Sequence, residues 1–144
     1  MGARTVLLVE DNPDDEALAV RALSRTCKPL RIQVAHDGHE AVARVRTLSR
    51  EDLPDVVLLD LNLPGMNGIE VLRKLRADPH TASVPVVVLT SSCEDRDIVE
   101  SYRAGANGYV RKPVDFDAFT RTVHDLGHFW LDLNESPRRM VELA

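Results

Sequence analysis

Five polar side chains that could act together chemically stand at the ends of apolar segments, although they are scattered along the sequence. They are Glu10, Asp11, Asp60, Thr90 and Lys112. Asp60 closes the run DVVLLD, and a lone Asp at such a point is most simply a turn residue. Three acids, a hydroxyl and a cation at equivalent positions favour a shared site, provided that the fold brings these segment ends together.

Three neighbouring carboxylates repel one another and need a cation to neutralise them. Mg²⁺ suits this role, because it prefers oxygen ligands and is commonly held by carboxylates together with a substrate phosphate. We expect Asp11 and Asp60 to bind the ion directly and Glu10 to act through a water molecule. Asn62, two residues after Asp60, would supply its backbone carbonyl oxygen. The predicted cofactor is therefore Mg²⁺.

With the metal in place, one oxygen of Asp60 could bind the ion while the other attacks phosphorus. Phosphoryl transfer needs mainly positioning and charge neutralisation, to which Lys112 and the Thr90 hydroxyl would contribute. Taken singly, each residue has a simpler interpretation: Lys112 as a solvated lysine, Thr90 as a strand former and Tyr109 as part of the core. It is the combination that indicates phosphoryl chemistry.

The elements that must position these residues alternate along the chain. Five β-rich runs cover residues 5–10, 31–36, 55–60, 84–90 and 108–112, and the stretches between them carry apolar residues at helical spacing. Strict alternation predicts an α/β fold with a doubly wound, five-stranded parallel sheet. The carboxyl ends of parallel strands share one edge, where ligands bind. This edge would gather the five polar side chains.

The first helix has a marked start in the sequence EDNPDDEAL. Asn12 suits the N-cap and Pro13 the first helical position, and the three acids that follow would face the positive end of the helix dipole. The dipole thus explains those three acids without a function. It does not explain Glu10 and Asp11, which precede the cap.

The composition is that of one compact domain. The 144 residues include 28% charged and 44% hydrophobic residues, and the net charge of -5 argues against a nucleic-acid surface. No apolar stretch is long enough for a membrane span or a signal peptide, so we expect a cytoplasmic protein. Cys27 and Cys93 form no recognisable metal or disulfide pattern and are predicted to be reduced thiols.

Four motifs follow one another in the order LLVEDNPDD, VVLLDLNLPGMNGIEVL, VPVVVLTSS and GANGYVRKP. With them, the chain resembles the receiver domain of two-component response regulators. The resemblance implies the CheY-like, flavodoxin-like strand order 2-1-3-4-5 and a phosphoryl group delivered by a sensor histidine kinase. It implies Asp60 as phosphoacceptor, Glu10 and Asp11 as the acidic pair, and Thr90 and Lys112 as phosphate ligands. Tyr109 would partner Thr90 in a switch of protein contacts.

The segment LGHFWLDLNESP, residues 126–137, extends beyond a minimal receiver domain. It is similar to that of stand-alone receivers that serve phytochrome-type histidine kinases, which suggests a bacteriophytochrome-type partner. We expect one receiver domain over residues 1–144, with a core at about 4–126, a helical extension at about 127–137 and a tail at 138–144. Such a protein is not an enzyme, apart from catalysing its own phosphorylation and dephosphorylation.

Two other functions fit parts of the sequence. Haloacid-dehalogenase-like phosphatases also use a strand-end Asp with Thr, Lys and Mg²⁺, but they need a second Asp where this chain has Asn62. The sequence HDLGH places His124 and His128 on one helical face, as in zinc proteases, yet Asp125 replaces the expected Glu. Surface histidines are the simpler interpretation.

A continuous apolar stripe predicts a long last helix that forms a homodimer. The stripe has steps of three and four residues and consists of Phe116, Phe119, Val123, Leu126, Trp130 and Leu133. At 1.5 Å per residue it outruns a strand of ordinary length. Its first half would pack on the sheet. Its second half, joined by Phe129 and Leu131, would overhang the sheet and be covered by a second copy of the chain, through an interface of Leu126, Phe129, Trp130 and Leu133. The alternative is a tail that folds back over its own domain.

Overall fold

The computed structural model describes residues 3–26 and 28–139, and its centre is one parallel sheet of five strands in the order β2-β1-β3-β4-β5. This confirms the predicted fold class and strand order. The strands are β1 (Arg4–Val9), β2 (Leu30–Ala35), β3 (Val56–Leu59), β4 (Val86–Thr90) and β5 (Gly108–Arg111).

In the part of the chain that the structure describes, four α-helices connect the strands and a fifth follows the last strand. They are α1 (Pro13–Leu23), α2 (Gly38–Thr47), α3 (Gly68–Ala77), α4 (Asp95–Arg103) and α5 (Phe116–Gly127). The predicted start of α1 is confirmed, since the Asn12 side chain accepts hydrogen bonds from the backbone N–H groups of Asp14 and Asp15. Satisfying these otherwise unpaired donors stabilises the first turn and sets where the helix begins. None of the helices in the described residues has the length and apolarity that a bilayer crossing requires.

The helices cover both faces of the sheet, because successive strand residues point to opposite sides. Leu7 and Val9 of β1 lie in a core shared with α2 and α3, whereas Val6 and Leu8 lie in a second core shared with α1 and α5. All four residues of β3 are buried. A central strand that is apolar on both faces is what a doubly wound sheet requires.

The chain after α5 departs from the regular helix that the sequence predicts. A π-helical turn spans His128–Leu133, and the backbone N–H of Asn134 donates to the carbonyl of Phe129, five residues earlier, at 2.7 Å. Each π turn holds more residues than an α turn, so the apolar stripe rotates out of phase. Leu131, which was expected to overhang the sheet with Phe129, is instead buried at 5% exposure, whereas Leu133 is 60% exposed.

The stripe is therefore not one continuous packing face. Phe116, which was expected to pack on the sheet, is 68% exposed. Leu126 and Trp130 are partly buried against the core on the α1 and α5 side, so half of the predicted dimer interface contacts its own sheet face. Phe129 remains exposed beside Trp130, with the two rings edge to face at 5.1 Å.

The last described residues return to the sheet at its amino-terminal edge. Arg138 donates from Nε to the Oδ1 of Asp55 at 2.9 Å and also to the backbone carbonyls of Glu51 and Ala3. Asp55 is buried and also accepts the backbone N–H of Thr5 at 2.8 Å. Burial by itself raises the pKa of Asp55, but the hydrogen bonds and the charge of Arg138 outweigh it and hold the pKa below its usual value.

Cys93 is exposed and has a free thiol, as predicted. Cys27 lies outside the described residues, as do residues 140–144 of the predicted tail.

Candidate functional site

Three carboxylates meet at the carboxyl edge of the sheet, as their positions after β1 and β3 predict. Glu10, Asp11 and Asp60 each offer an oxygen, and these oxygens all lie within 4.8 Å of one another. Glu10 and Asp60 are buried, whereas Asp11 is exposed. The strand ladder sets their positions, since the backbone N–H of Glu10 donates to Ala35 and that of Asp60 donates to Val9.

The Lys112 ammonium lies among these acids. Its Nζ donates to Glu10 at 2.7 Å and to Asp60 at 2.9 Å, and its side chain is only 8% exposed. The backbone N–H of Lys112 donates to the Thr90 carbonyl at 2.7 Å, which continues the pairing of β4 with β5 past the strand end. The peptide bond to Pro113 is trans. The ladder and the fixed proline φ thus aim this flexible side chain at the site.

Asp15 supplies a third partner of Lys112 that the sequence did not reveal. Its Oδ2 accepts from Nζ at 2.9 Å. Asp15 was expected only to face the helix dipole, and it does lie in the first turn of α1. No local pattern marks it for Lys112, because the two residues are 97 positions apart and meet only because the start of α1 and the end of β5 lie at the same edge of the sheet.

Burial changes the ionisation of the two innermost groups. It raises the pKa of Glu10 to about 7, although the hydrogen bond from Lys112 acts in the opposite direction. Burial alone would lower the pKa of Lys112, but its hydrogen bonds to three carboxylates outweigh that effect and raise the pKa above its usual value. Lys112 therefore stays positively charged at neutral pH, when it can bind an anion.

A tight loop follows Asp60 and packs against it. The backbone N–H of Asn62 donates to Oδ1 of Asp60 at 3.1 Å, and Gly65 takes a positive φ of 71° in the turn that follows. A Cβ on Gly68 would lie 2.5 Å from the backbone oxygen of Asp60. The glycine therefore permits the start of α3 to approach the acid directly.

Thr90 and Tyr109 lie beside the acids and are joined through one loop residue. Thr90 ends β4 and is fully buried. Its hydroxyl oxygen accepts the backbone N–H of Ser92 at 3.4 Å, and the Tyr109 hydroxyl donates to the carbonyl of Ser92 at 3.0 Å. Burial raises the pKa of Tyr109, so the phenol stays a donor. The Ser92 backbone thus links the Thr90 and Tyr109 side chains.

The donor set suits a hard divalent cation. Three carboxylates offer only oxygen ligands, two of them from buried residues, and Lys112 alone leaves an excess of negative charge there. The acidic pocket could therefore hold a divalent metal ion. His124 and His128 belong to no such group of ligands within the described residues, and His128 instead contacts Asp132 at 3.3 Å.

Residues 6–124 match the response regulator receiver domain family. The chain belongs to this family. Membership accounts for the parallel sheet with acids at its carboxyl edge, and it decides against the haloacid-dehalogenase-like and zinc protease alternatives.

Similar proteins include receivers from several signalling systems. The probable methanogenesis regulatory protein FilR2 of Methanothrix harundinacea is 39% identical over 92% of this receiver domain chain and 86% of its own. The phosphorylated cyanobacterial phytochrome response regulator RcpA is 35% identical, with a TM-score of 0.89 over 94% of this chain and 99% of its own. The Mn²⁺-bound form of Rcp1, a response regulator of Synechocystis, is 31% identical, with a TM-score of 0.86 over 93% of this chain and 99% of its own.

Proposed function

We propose that this receiver domain accepts a phosphoryl group on Asp60 from a phosphohistidine of a sensor histidine kinase. The observation that supports the proposal most is the buried Asp60 carboxylate, held at 2.9 Å from the Lys112 ammonium beside two further acids. This carboxylate lies in a polar pocket at the carboxyl edge of a parallel sheet, where ligands bind in such folds. It is suited to act as a nucleophile.

The chemistry transfers one phosphoryl group between two side chains. A carboxylate oxygen of Asp60 attacks phosphorus, the new oxygen–phosphorus bond forms, and the nitrogen–phosphorus bond to the donor imidazole breaks. Lys112 would bind a phosphoryl oxygen as negative charge accumulates. Mg²⁺ held by Asp11, Asp60 and the Asn62 carbonyl, with Glu10 through water, would neutralise the carboxylates and the incoming phosphate.

Phosphorylation would alter a surface of the domain through Thr90 and Tyr109. The added phosphoryl group offers new acceptor oxygens, to which the Thr90 hydroxyl can donate. To donate this hydrogen bond, Thr90 would move toward the phosphoryl group. Because Thr90 and Tyr109 both bond to Ser92, the movement of Thr90 would change the orientation of the Tyr109 ring. Val99 and Tyr102 of the neighbouring α4 are about half exposed. The output would be a change of protein contacts on this surface.

The proposed donor is a bacteriophytochrome-type kinase. The support is the likeness to the phytochrome response regulator RcpA, which covers 94% of this chain. We place one receiver domain over the whole chain, acting on proteins and not on nucleic acid or a membrane. Its cytoplasmic location stays a prediction of the sequence.

We also propose a homodimer through the C-terminal extension. Phe129 is 48% and Leu133 60% exposed, so these two side chains offer the apolar surface that a second copy would cover. Leu126 and Trp130 are partly buried against the core, and their remaining exposed surface would add to the interface.

Intact-mass measurement with acetyl phosphate and Mg²⁺ tests the phosphorylation site. We expect the wild-type chain to gain the mass of one phosphoryl group and Asp60→Asn to gain none, because an amide is a poor nucleophile. Asp14→Asn is the matched control, since Asp14 is an exposed acid at the start of α1, and it should be labelled like the wild type. Equal labelling of Asp60→Asn would contradict the assignment, and labelling that survives EDTA would contradict the role of the metal.

A further inference from the structure

Asp15 differs from the other two acidic partners of Lys112 in the secondary-structure element that carries it. Glu10 and Asp60 follow strands of the sheet, whereas Asp15 belongs to the first turn of α1. Its carboxylate is 2.9 Å from Nζ and its side chain is 31% exposed. The predicted metal site uses Glu10, Asp11 and Asp60, and Asp15 is not one of the clustered acids that could hold an ion.

The helix start holds Asp15 in place. Its backbone N–H donates to the Asn12 side chain at 3.0 Å, and Pro13 restricts the residue that begins the helix. Asp14 has the same charge and a similar cap contact, at 2.9 Å, but is exposed. The helix dipole accounts equally for both acids. Only Asp15 has the additional contact with the buried ammonium.

The three N–H donors of the Lys112 ammonium each have one carboxylate partner, and the Asp15 partner differs from the other two. An ammonium group has three N–H donors, and those of Lys112 are matched by Glu10, Asp15 and Asp60. Phosphorylation would turn Asp60 into an acyl phosphate, so its donor passes to the phosphoryl group. A bound metal ion would attract the Glu10 carboxylate as well, so Glu10 would no longer be a partner of Lys112 alone. Asp15 is the partner that neither the metal nor phosphorus engages.

We propose that Asp15 is a positioning residue, whose carboxylate keeps the Lys112 ammonium directed at Asp60 throughout metal binding and phosphoryl transfer. A lysine side chain has four flexible carbon–carbon bonds, and a fixed acceptor restricts them. The proposal rests on the proposed phosphorylation of Asp60.

Three variants separate the hydrogen bond from the charge. Asp15→Ala removes both, Asp15→Asn removes the charge but keeps an acceptor oxygen, and Asp14→Ala removes a charge from the same helical turn without touching Lys112. At saturating Mg²⁺ and acetyl phosphate, we expect Asp15→Ala to be phosphorylated about 10-fold more slowly than the wild type, since a hydrogen bond to a charged group is lost. Asp15→Asn should recover most of the rate, and Asp14→Ala should match the wild type.

A second measurement needs neither metal nor phosphodonor. NMR detects the Lys112 ammonium protons only when their exchange with water is slow, which requires burial and bonded partners. We expect the signal in wild type, Asp14→Ala and Asp15→Asn, and its loss in Asp15→Ala. Thermal unfolding of each variant shows whether the fold is kept.

The outcomes distinguish this inference from the proposed function. If the wild type is not phosphorylated, the function fails, and the NMR signal still reports whether Asp15 holds Lys112. If the wild type is phosphorylated and Asp15→Ala matches Asp14→Ala in rate and signal, the positioning role is wrong. A faster Asp15→Ala would also overturn it, because Asp15 would then compete with the phosphoryl group for Lys112.

Discussion

Gly68 shows how one residue without a side chain shapes the site. It begins α3, and its backbone N–H donates to the Leu61 carbonyl at 3.0 Å. A side chain there would press on the backbone of both Asp60 and Leu61, at 2.5 and 2.8 Å, and backbone cannot rotate away as a side chain can. The close approach keeps the loop after Asp60 tight against the acid.

Gly68→Ala is therefore expected to destabilise the fold by about 2 kcal/mol, the cost of forcing an extra methyl group into packed backbone. Gly108→Ala is the matched control, because a Cβ there would meet only the Val87 side chain, at an ordinary 3.7 Å. Its free energy of unfolding should change by less than about 1 kcal/mol. Urea denaturation measures both, and equal effects would show that the clash at Gly68 is relieved at little cost.

At the scale of elements, the π-helical turn decides which side chains the last helix exposes. It buries Leu131 and leaves Phe129 and Leu133 at the surface. An unbroken α-helix would have placed Leu133 about 80° around the helix axis from the buried Val123, at the margin of the apolar stripe. The turn thus narrows the proposed dimer contact to a smaller apolar surface.

Phe129→Ser combined with Leu133→Ser is expected to yield a monomer, because the pair supplies most of the exposed apolar surface of the extension. Phe116→Ser is the control: Phe116 is also exposed, but it lies at the other end of α5, and its loss should leave the dimer intact. Light scattering at micromolar concentration measures the association state. A monomeric wild type, or a double variant that stays dimeric, would reject this interface.

At the scale of the whole molecule, the first and last parts of the described chain meet at the edge of the sheet opposite the site. Arg138 contacts Asp55 before β3 and the carbonyl of Ala3 before β1. The side chain of Arg138 is 11% exposed and that of Asp55 is fully buried. Removing one partner leaves a buried charge without its main compensation, which costs far more than an exposed ion pair contributes.

Arg138→Ala is expected to lower the free energy of unfolding at pH 7 by about 2–4 kcal/mol. Arg44→Ala, which removes a partly exposed ion pair with Glu40 within one helix, should cost less than about 1 kcal/mol. Because the pKa of Asp55 is lowered in the folded state, its contribution is complete above the usual Asp pKa and is lost as the pH falls through the folded-state value. The difference between wild type and Arg138→Ala should therefore shrink in acid. A pH-independent difference in urea denaturation would contradict the ion pair as its cause.

The sequence by itself determined the sheet and the acids at its edge. An apolar run between helical segments leaves little choice of structure, and parallel strands bring all their carboxyl ends to one side, so Glu10, Asp60 and Lys112 had to converge. The strand order came from resemblance to a family, since alternation alone permits others.

Only the tertiary structure decided three features: the contact of Asp15 with Lys112, which side chains the last helix buries, and the contact of Arg138 with Asp55. The contact of Asp15 with Lys112 depends on where the start of α1 lies relative to the end of β5, and a helical pattern does not specify that position. The π turn adds a residue that no apolar spacing reveals, and Arg138 meets Asp55 across 83 positions. Local periodicity determines which face of an element is buried, whereas contacts between distant polar groups depend on the packing of whole elements.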